Sequence, residues 1–149
     1  MFPFRKALFL SSTDKLLAVQ IVLHLCIAKL SIHVMPFAKI RSHLKSGSDT
    51  NPGYQQAQHL SNLTNQIAYH LPWQCNCLVR AVSCGLLLKK KQIGFTFHIG
   101  TKLEDGKLDA HAWLTLEDGS ICGDAKASDY KEIFHFDSER SDVSFSNSI

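Results

Sequence analysis

Apolar residues recur at helical spacing through the first ninety residues of the chain. An almost continuous apolar stretch covers residues 16–35 and follows a Ser-Ser-Thr-Asp cluster that is typical of a helix start. Residues 37–45 read as a short basic helix, and residues 54–71 and 73–91 each carry an apolar stripe with a helical period. Pro36 and Pro72 separate these segments. The pattern therefore predicts a helical first half.

The period changes from about four residues to two after Gly94. Apolar and polar residues alternate over residues 95–99 and again over residues 110–116, which predicts two strands. Turn-forming residues at 104–106 and 117–119 predict an antiparallel hairpin and a second tight turn into residues 120–124. A helical half followed by a small antiparallel sheet predicts an α+β fold.

Composition shifts suggest four regions along the chain. We expect an N-terminal helical region at residues 1–45 and a linker at residues 46–53, where every residue favours turns. The core domain is expected at residues 54–125. The acidic, serine-rich residues 126–149 are expected to form a flexible tail.

The apolar stretch at residues 16–35 has three possible interpretations. Gln20, His24 and Ser31 fall near one helical face, so an amphipathic helix of a soluble protein is favoured. Membrane association and a cleaved signal peptide are the alternatives, the second disfavoured because Lys29 and His33 stand where a signal peptide has small residues.

Length and charge narrow the range of functions. The 149 residues, 45% of them hydrophobic, fit a single domain with a real core. Residues 1–103 hold 12 Lys/Arg and two acids, whereas residues 104–149 hold four Lys/Arg and 11 acids. The basic residues are scattered without an aromatic-plus-basic motif, so no nucleic-acid partner is expected. Five cysteines are an odd number, which favours free thiols and a cytoplasmic location.

One combination of residues could perform nucleophilic catalysis. Cys75 and Cys77 both lie near the predicted start of the 73–91 helix, where the helix N-terminus stabilises a thiolate. His111 lies in a predicted strand between two alanines, and Asp124 ends the following strand. This order suits a Cys-His-Asp triad, with either cysteine as the nucleophile. Metal binding by the two cysteines and His111 is a weaker alternative, since zinc sites usually use Cys-x-x-Cys spacing.

The same residues resemble a known family, the leader peptidases of lasso-peptide biosynthesis. The resemblance rests on Cys-Leu-Val-Arg-Ala at residues 77–81, Phe-His-Ile-Gly at residues 97–100 and Ala-His-Ala-Trp-Leu at residues 110–114. It covers about residues 5–125 and implies a transglutaminase-like, papain-related cysteine protease fold. It also implies that Cys77 is the nucleophile, His111 the general base and Asp124 the orienting acid. No cofactor and no metal are implied.

The resemblance also implies a reaction and partners. The protein would cleave one peptide bond in a ribosomally made precursor peptide and so release its leader. No leader-binding domain precedes the apolar helix, so a separate leader-binding protein is expected to deliver the precursor. An ATP-dependent lasso cyclase is a further expected partner. Arg80 and Trp113 match the family motifs and are expected to be structural.

Two other functions fit the same residues. A transglutaminase-like amidase or acyltransferase would use the same triad, and the acyltransferase would transfer the acyl group to an acceptor other than water. A non-catalytic interaction module of the same fold would keep Cys77 as an unreactive thiol.

Overall fold

The computed structural model describes residues 12–45, 53–116, 121–122, 128–139 and 143–145, in which helices precede a sheet. Within them the helices are α1 (Ser12–Val34), α2 (Phe37–Leu44), α3 (Tyr54–His70) and α4 (Cys77–Lys90). The strands are β1 (Thr96–Glu104), β2 (Lys107–Thr115), β3 (Ile121–Cys122), β4 (Lys131–Asp137) and β5 (Val143–Phe145). The predicted α+β fold is thus confirmed.

The described strands form one antiparallel sheet in the order β3-β2-β1-β4-β5. The central hairpin of β1 and β2 pairs without interruption from Thr96 with Thr115 to Glu104 with Lys107. Because successive strand residues face opposite sides, Phe97 and Leu114 face the helices, whereas His98 and Trp113 face away.

A single hydrophobic core lies between the helices and the sheet. Helix α4 packs against both α1 and β2, so it lies at the centre of the molecule. Side chains from every layer meet there: Ile21, Leu25, Leu60, Leu87, Leu88, Phe97, Leu114 and Phe136. Burial of these apolar surfaces is the main favourable contribution to folding.

Strand β4 departs from the expected acidic tail. It pairs with β1 from Thr96 to Thr101 and lies inside the sheet between β1 and β5, with Phe136 fully buried. A flexible tail is therefore wrong for residues 131–137. The acidic residues misled the prediction because their carboxylates lie at or near the surface, while alternate apolar residues of the strand join the core. The domain boundaries stay a prediction, and linker residues 46–52 lie outside the described residues.

Helix α1 is confirmed, but its expected amphipathic pattern is wrong. Ile21, Leu25 and Ala28 are buried against the other helices. Large apolar side chains are also exposed along the opposite face: Leu16, Val19, Leu23, Ile27, Leu30 and Val34. Among the described helices, α1 alone is long and apolar enough to span a membrane, a criterion that core helices and signal sequences also meet. The location of the protein in the cell stays a prediction.

Two neighbouring leucines test whether α1 is a core helix. Leu25→Lys is expected to lower the free energy of unfolding by at least about 3 kcal/mol, because the ammonium would enter the buried face. Leu23→Lys, at a side chain 55% exposed, is expected to change it by no more than about 0.5 kcal/mol. Urea unfolding followed by circular dichroism measures both. Equal losses from the two variants would contradict this packing.

Candidate active site

The first turn of α4 carries Cys77. The helix begins at this residue, and the side chain of Asn76 caps it by accepting a hydrogen bond from the Val79 backbone N–H at 2.9 Å. The sequence pattern predicted a start near residue 73 because it did not use Asn76 as a cap. With the cap in place, the thiol of Cys77 lies at the positive end of the helix dipole, where a thiolate is stabilised.

Cys75 lies before the cap and in a different environment. Burial raises the pKa of the Cys75 thiol, although the positive charge of Lys29 partly opposes the effect. A raised pKa leaves less thiolate near neutral pH, and the thiolate is the nucleophilic form. Of the two cysteines that the sequence left open, Cys77 therefore has the better placement for a nucleophile.

The sulfur of Cys77 approaches strand β2 next to His111. Cys77 Sγ lies 3.8 Å from the carbonyl oxygen of Ala110, the residue immediately before His111. The packing of α4 on β2 thus brings Cys77 and His111 to the same point of the sheet. His111 belongs to the face of β2 that points away from the helices, so its ring and the sulfur approach the strand from different sides.

The ring of His111 is held in an aromatic stack. His111 is only 7% exposed, and its ring stacks on Tyr130 at 4.8 Å and on Trp113 at 6.0 Å between centroids. Tyr130 donates a hydrogen bond to Asp109 Oδ2 at 2.7 Å. That bond raises the pKa of Tyr130, and a negative charge on Cys77 would add a smaller contribution in the same direction. Tyr130 is therefore within electrostatic range of the sulfur.

A polar cluster of His98, Thr115 and Glu132 contacts Trp113. His98 stacks on Trp113 at 5.3 Å, and its Nδ1–H donates to Glu132 Oε2 at 2.5 Å. Nε2 of the same ring forms a 2.7 Å hydrogen bond with the Thr115 hydroxyl, which donates when the imidazole is neutral. Burial lowers the pKa of His98 although Glu132 opposes the shift, which keeps the neutral form at neutral pH. The cluster fixes the orientation of Trp113 and, through it, that of His111.

Gly100 gives Trp113 the space to lie flat against the sheet. It is the register partner of His111, and a Cβ atom added there would lie 2.8 Å from Trp113 Cη2 and 2.9 Å from the Lys131 carbonyl oxygen. Both contacts are shorter than van der Waals contact, and one of them is with the backbone. A side chain at residue 100 would therefore push Trp113 away from its position beside His111.

Gly100→Ala is expected to lower the free energy of unfolding by about 1–3 kcal/mol through this overlap. We also expect a change in near-ultraviolet circular dichroism and slower alkylation of Cys77, because the stack on His111 is disturbed. Thr101→Ala, one residue away on the other face, serves as the control. Equal behaviour of the two variants would mean that the stack does not depend on Gly100.

The third predicted site residue, Asp124, lies outside the described residues. Its role as the orienting acid stays a prediction. Within the described ranges, no cluster of three or more His, Cys, Asp or Glu side chains is arranged to hold a metal ion. Cys75, Cys77 and His111 do not form such a cluster either.

Sequence reasoning missed two residues of this site. Tyr130 lies immediately before β4, in the segment interpreted as a tail. Gly100 belongs to the Phe-His-Ile-Gly motif, but its role depends on the register of β1 and β2, which places it opposite His111. A glycine inside a strand pattern often marks the close approach of another group, and this was the available signal.

The family model described as the transglutaminase-like superfamily matches residues 22–135, which include Cys77, His111 and Asp124. No curated protein and no solved structure matches the chain.

Proposed function

Since the chain belongs to the transglutaminase-like superfamily, we propose that it is a cysteine endopeptidase that removes the leader from a lasso-peptide precursor. The superfamily commonly has cysteine-protease or acyltransferase activity. The observation that carries the proposal is the position of the Cys77 sulfur, which lies at a capped helix N-terminus and 3.8 Å from the carbonyl preceding His111. The leader-peptidase specificity rests on the motif resemblance.

The proposed reaction begins with a proton transfer from the Cys77 thiol to His111. The thiolate attacks the scissile carbonyl carbon, and backbone N–H groups of the first turn of α4 stabilise the oxyanion. The C–N bond breaks as His111 protonates the leaving amine, which leaves a thioester on Cys77. His111 then takes a proton from water, which hydrolyses the thioester and releases the leader. Asp124 orients the imidazole in this scheme.

The geometry sets a requirement for the first step. Because His111 belongs to the face of β2 opposite the helices, its imidazole has to reach the sulfur across the edge of the strand. The imidazole of His111 stacks on both Tyr130 and Trp113, and this stacking supports its role because it limits the imidazole to a small range of orientations. Holding a base and a nucleophile in one geometry is a large part of catalysis.

The proposal includes partners and a location. The precursor peptide is the substrate, a separate leader-binding protein delivers it, and an ATP-dependent cyclase closes the released core peptide. These proteins would be cytoplasmic. The basic side chains of the first 103 residues are a candidate docking surface for the partner or the leader.

Mass spectrometry of a reconstituted reaction tests the proposal. The protein is incubated with a precursor peptide and the leader-binding protein of a lasso-peptide gene cluster. We expect two products whose masses sum to that of the precursor plus one water. Transfer of an acyl group to an added amine without release of a leader would favour the acyltransferase alternative instead.

Alkylation tests whether Cys77 is a catalytic thiol at all. Iodoacetamide near neutral pH is expected to label Cys77 faster than Cys75, because Cys77 is at the helix N-terminus and burial raises the pKa of Cys75. Peptide mapping of the labelled protein gives both rates. Equal or absent labelling would favour the non-catalytic interaction module.

A further inference from the structure

Tyr130 contacts the candidate base although it lies just before β4 and outside the described strands. Its ring stacks on the His111 imidazole, with 4.8 Å between centroids and 24° between planes. Trp113 stacks on the same imidazole at 6.0 Å and 19°. Both aromatic rings thus lie nearly parallel to the imidazole and within about 6 Å of it, the range of a cation–π contact.

The charge of this imidazole changes during the proposed reaction. His111 takes the proton of Cys77, which leaves an imidazolium beside a thiolate. Because His111 is only 7% exposed, little water solvates that positive charge, and burial alone would disfavour it. The site therefore needs groups that stabilise the cation. An aromatic face is such a group, and its effect is larger when the cation is desolvated.

The hydrogen bond of Tyr130 to Asp109 makes its ring a better partner for a cation. The phenol hydroxyl donates to Asp109 Oδ2 at 2.7 Å. Donation to a carboxylate polarises the phenol and adds electron density to the ring, whose face is already the negative end of its quadrupole. Because the same bond raises the pKa of Tyr130, the hydroxyl stays a donor at the pH values at which a thiolate forms.

A second cation already lies over the Tyr130 ring. The Lys102 ammonium is 5.1 Å from the ring centre, and Glu104 pairs with this ammonium at 2.8 Å. The glutamate offsets the lysine charge, so the ring can still stabilise the imidazolium. The charged and titratable groups that face this stack come from each neighbouring element: Cys77 of α4, Lys102 and Glu104 of β1, Asp109 of β2 and, beyond Trp113, the bonded His98 and Glu132.

We propose that Tyr130 is a positioning residue whose ring face stabilises the positively charged form of the His111 imidazole. This inference rests on the proposed function, since the imidazolium forms when Cys77 loses its proton. A ring that only fills space excludes water and so favours the neutral imidazole. A ring that acts through its π face favours the cation. The two roles therefore predict opposite shifts of the His111 titration when the ring is removed.

NMR titration of His111 in the Cys77→Ala protein measures this effect without any substrate. The ring signals of His111 are identified by their loss in Cys77→Ala/His111→Phe. In Tyr130→Leu, we expect the titration midpoint of His111 to fall by about one pH unit, the scale of a desolvated cation–π contact. Tyr130→Phe keeps the ring face and loses the bond to Asp109, so the midpoint is expected to fall by less than half as much.

Two further changes separate the ring face from the shape of the side chain. Pentafluorophenylalanine, introduced at residue 130 by amber suppression, keeps the shape of an aromatic ring but reverses its quadrupole, so the His111 midpoint is expected to fall at least as far as in Tyr130→Leu. Tyr69→Leu, at an exposed tyrosine of α3, is expected to leave it unchanged. A midpoint that stays or rises in Tyr130→Leu overturns the proposal. So do equal falls in Tyr130→Leu and Tyr130→Phe, because the hydrogen bond to Asp109 would then be the cause.

The pH dependence of alkylation tests the same effect with the Cys77 thiol present. A less stable imidazolium favours the thiolate less, so Tyr130→Leu is expected to reach half of its maximal iodoacetamide rate at a higher pH than the wild type. A profile that Tyr130→Leu leaves unshifted overturns the proposal. Absence of Cys77 alkylation in the wild type instead counts against the proposed function, and the NMR midpoint of His111 then decides the role of Tyr130 by itself.

Discussion

Replacing Cys77 by alanine is expected to lower kcat/KM for precursor cleavage by at least about 10⁴-fold, which is the scale of losing a covalent nucleophile. The reason is chemical, since no other group at the capped start of α4 can form the thioester. The side chain lies at the first helical residue and is only partly buried, so its loss is expected to change the free energy of unfolding little. Product formation measured by mass spectrometry checks the activity.

Cys75→Ala is the matched control for this variant. Cys75 is two residues away and partly buried like Cys77, but it precedes the Asn76 cap. Its replacement is expected to leave kcat/KM within about threefold of the wild type, as for a side chain outside the reacting atoms. If Cys75→Ala abolished cleavage while Cys77→Ala remained active, the assignment of the nucleophile would be reversed.

The Asn76 cap holds the end of the helix that carries Cys77. Its side chain holds the first turn of α4 by accepting from the Val79 N–H. The same turn supplies the N–H groups that the proposal uses for the oxyanion. The cap therefore links a local sequence preference to the chemistry, because a frayed first turn would misplace both the sulfur and these donors.

The order of helices and strands could be predicted because it depends on local patterns. The helical period ends near Gly94, and alternation begins there, as the observed start of β1 at Thr96 confirms. Strand β4 could not be found in this way. Its acidic neighbours suggested a tail, and its place in the sheet depends on pairing with β1, whose residues are at least thirty positions away along the chain.

In the candidate site, too, residues in local motifs could be predicted, whereas residues that act through long-range contacts could not. Motif resemblance selected Cys77 over Cys75, and the position of the Asn76 cap supplies a physical reason for that choice. Tyr130 and Gly100 could not be assigned from sequence, because both act through contacts across strands. Tyr130 directly precedes β4, which β1 separates from β2 in the sheet, yet its ring stacks on His111 of β2. Gly100 matters only because Trp113 lies over it.

Replacement of His111 is expected to have the second large effect, a loss of at least about 10³-fold in kcat/KM. His111→Phe is the informative variant because a phenyl ring can keep the stacking on Tyr130 and Trp113 while it cannot carry a proton. Stability measured by thermal unfolding is therefore expected to stay close to that of the wild type. A large loss of activity with preserved stability assigns the effect to proton transfer.

The pH dependence of alkylation distinguishes a general base from a packing residue. In the proposed mechanism, His111 and the helix N-terminus both favour the thiolate, so iodoacetamide is expected to react with the wild type at neutral pH. In His111→Phe, we expect half of the maximal alkylation rate to be reached at a higher pH, because the imidazolium partner is gone. His43→Phe, an exposed position on α2, is expected to leave the profile unchanged. An unshifted profile in His111→Phe would mean that His111 acts only through its packing.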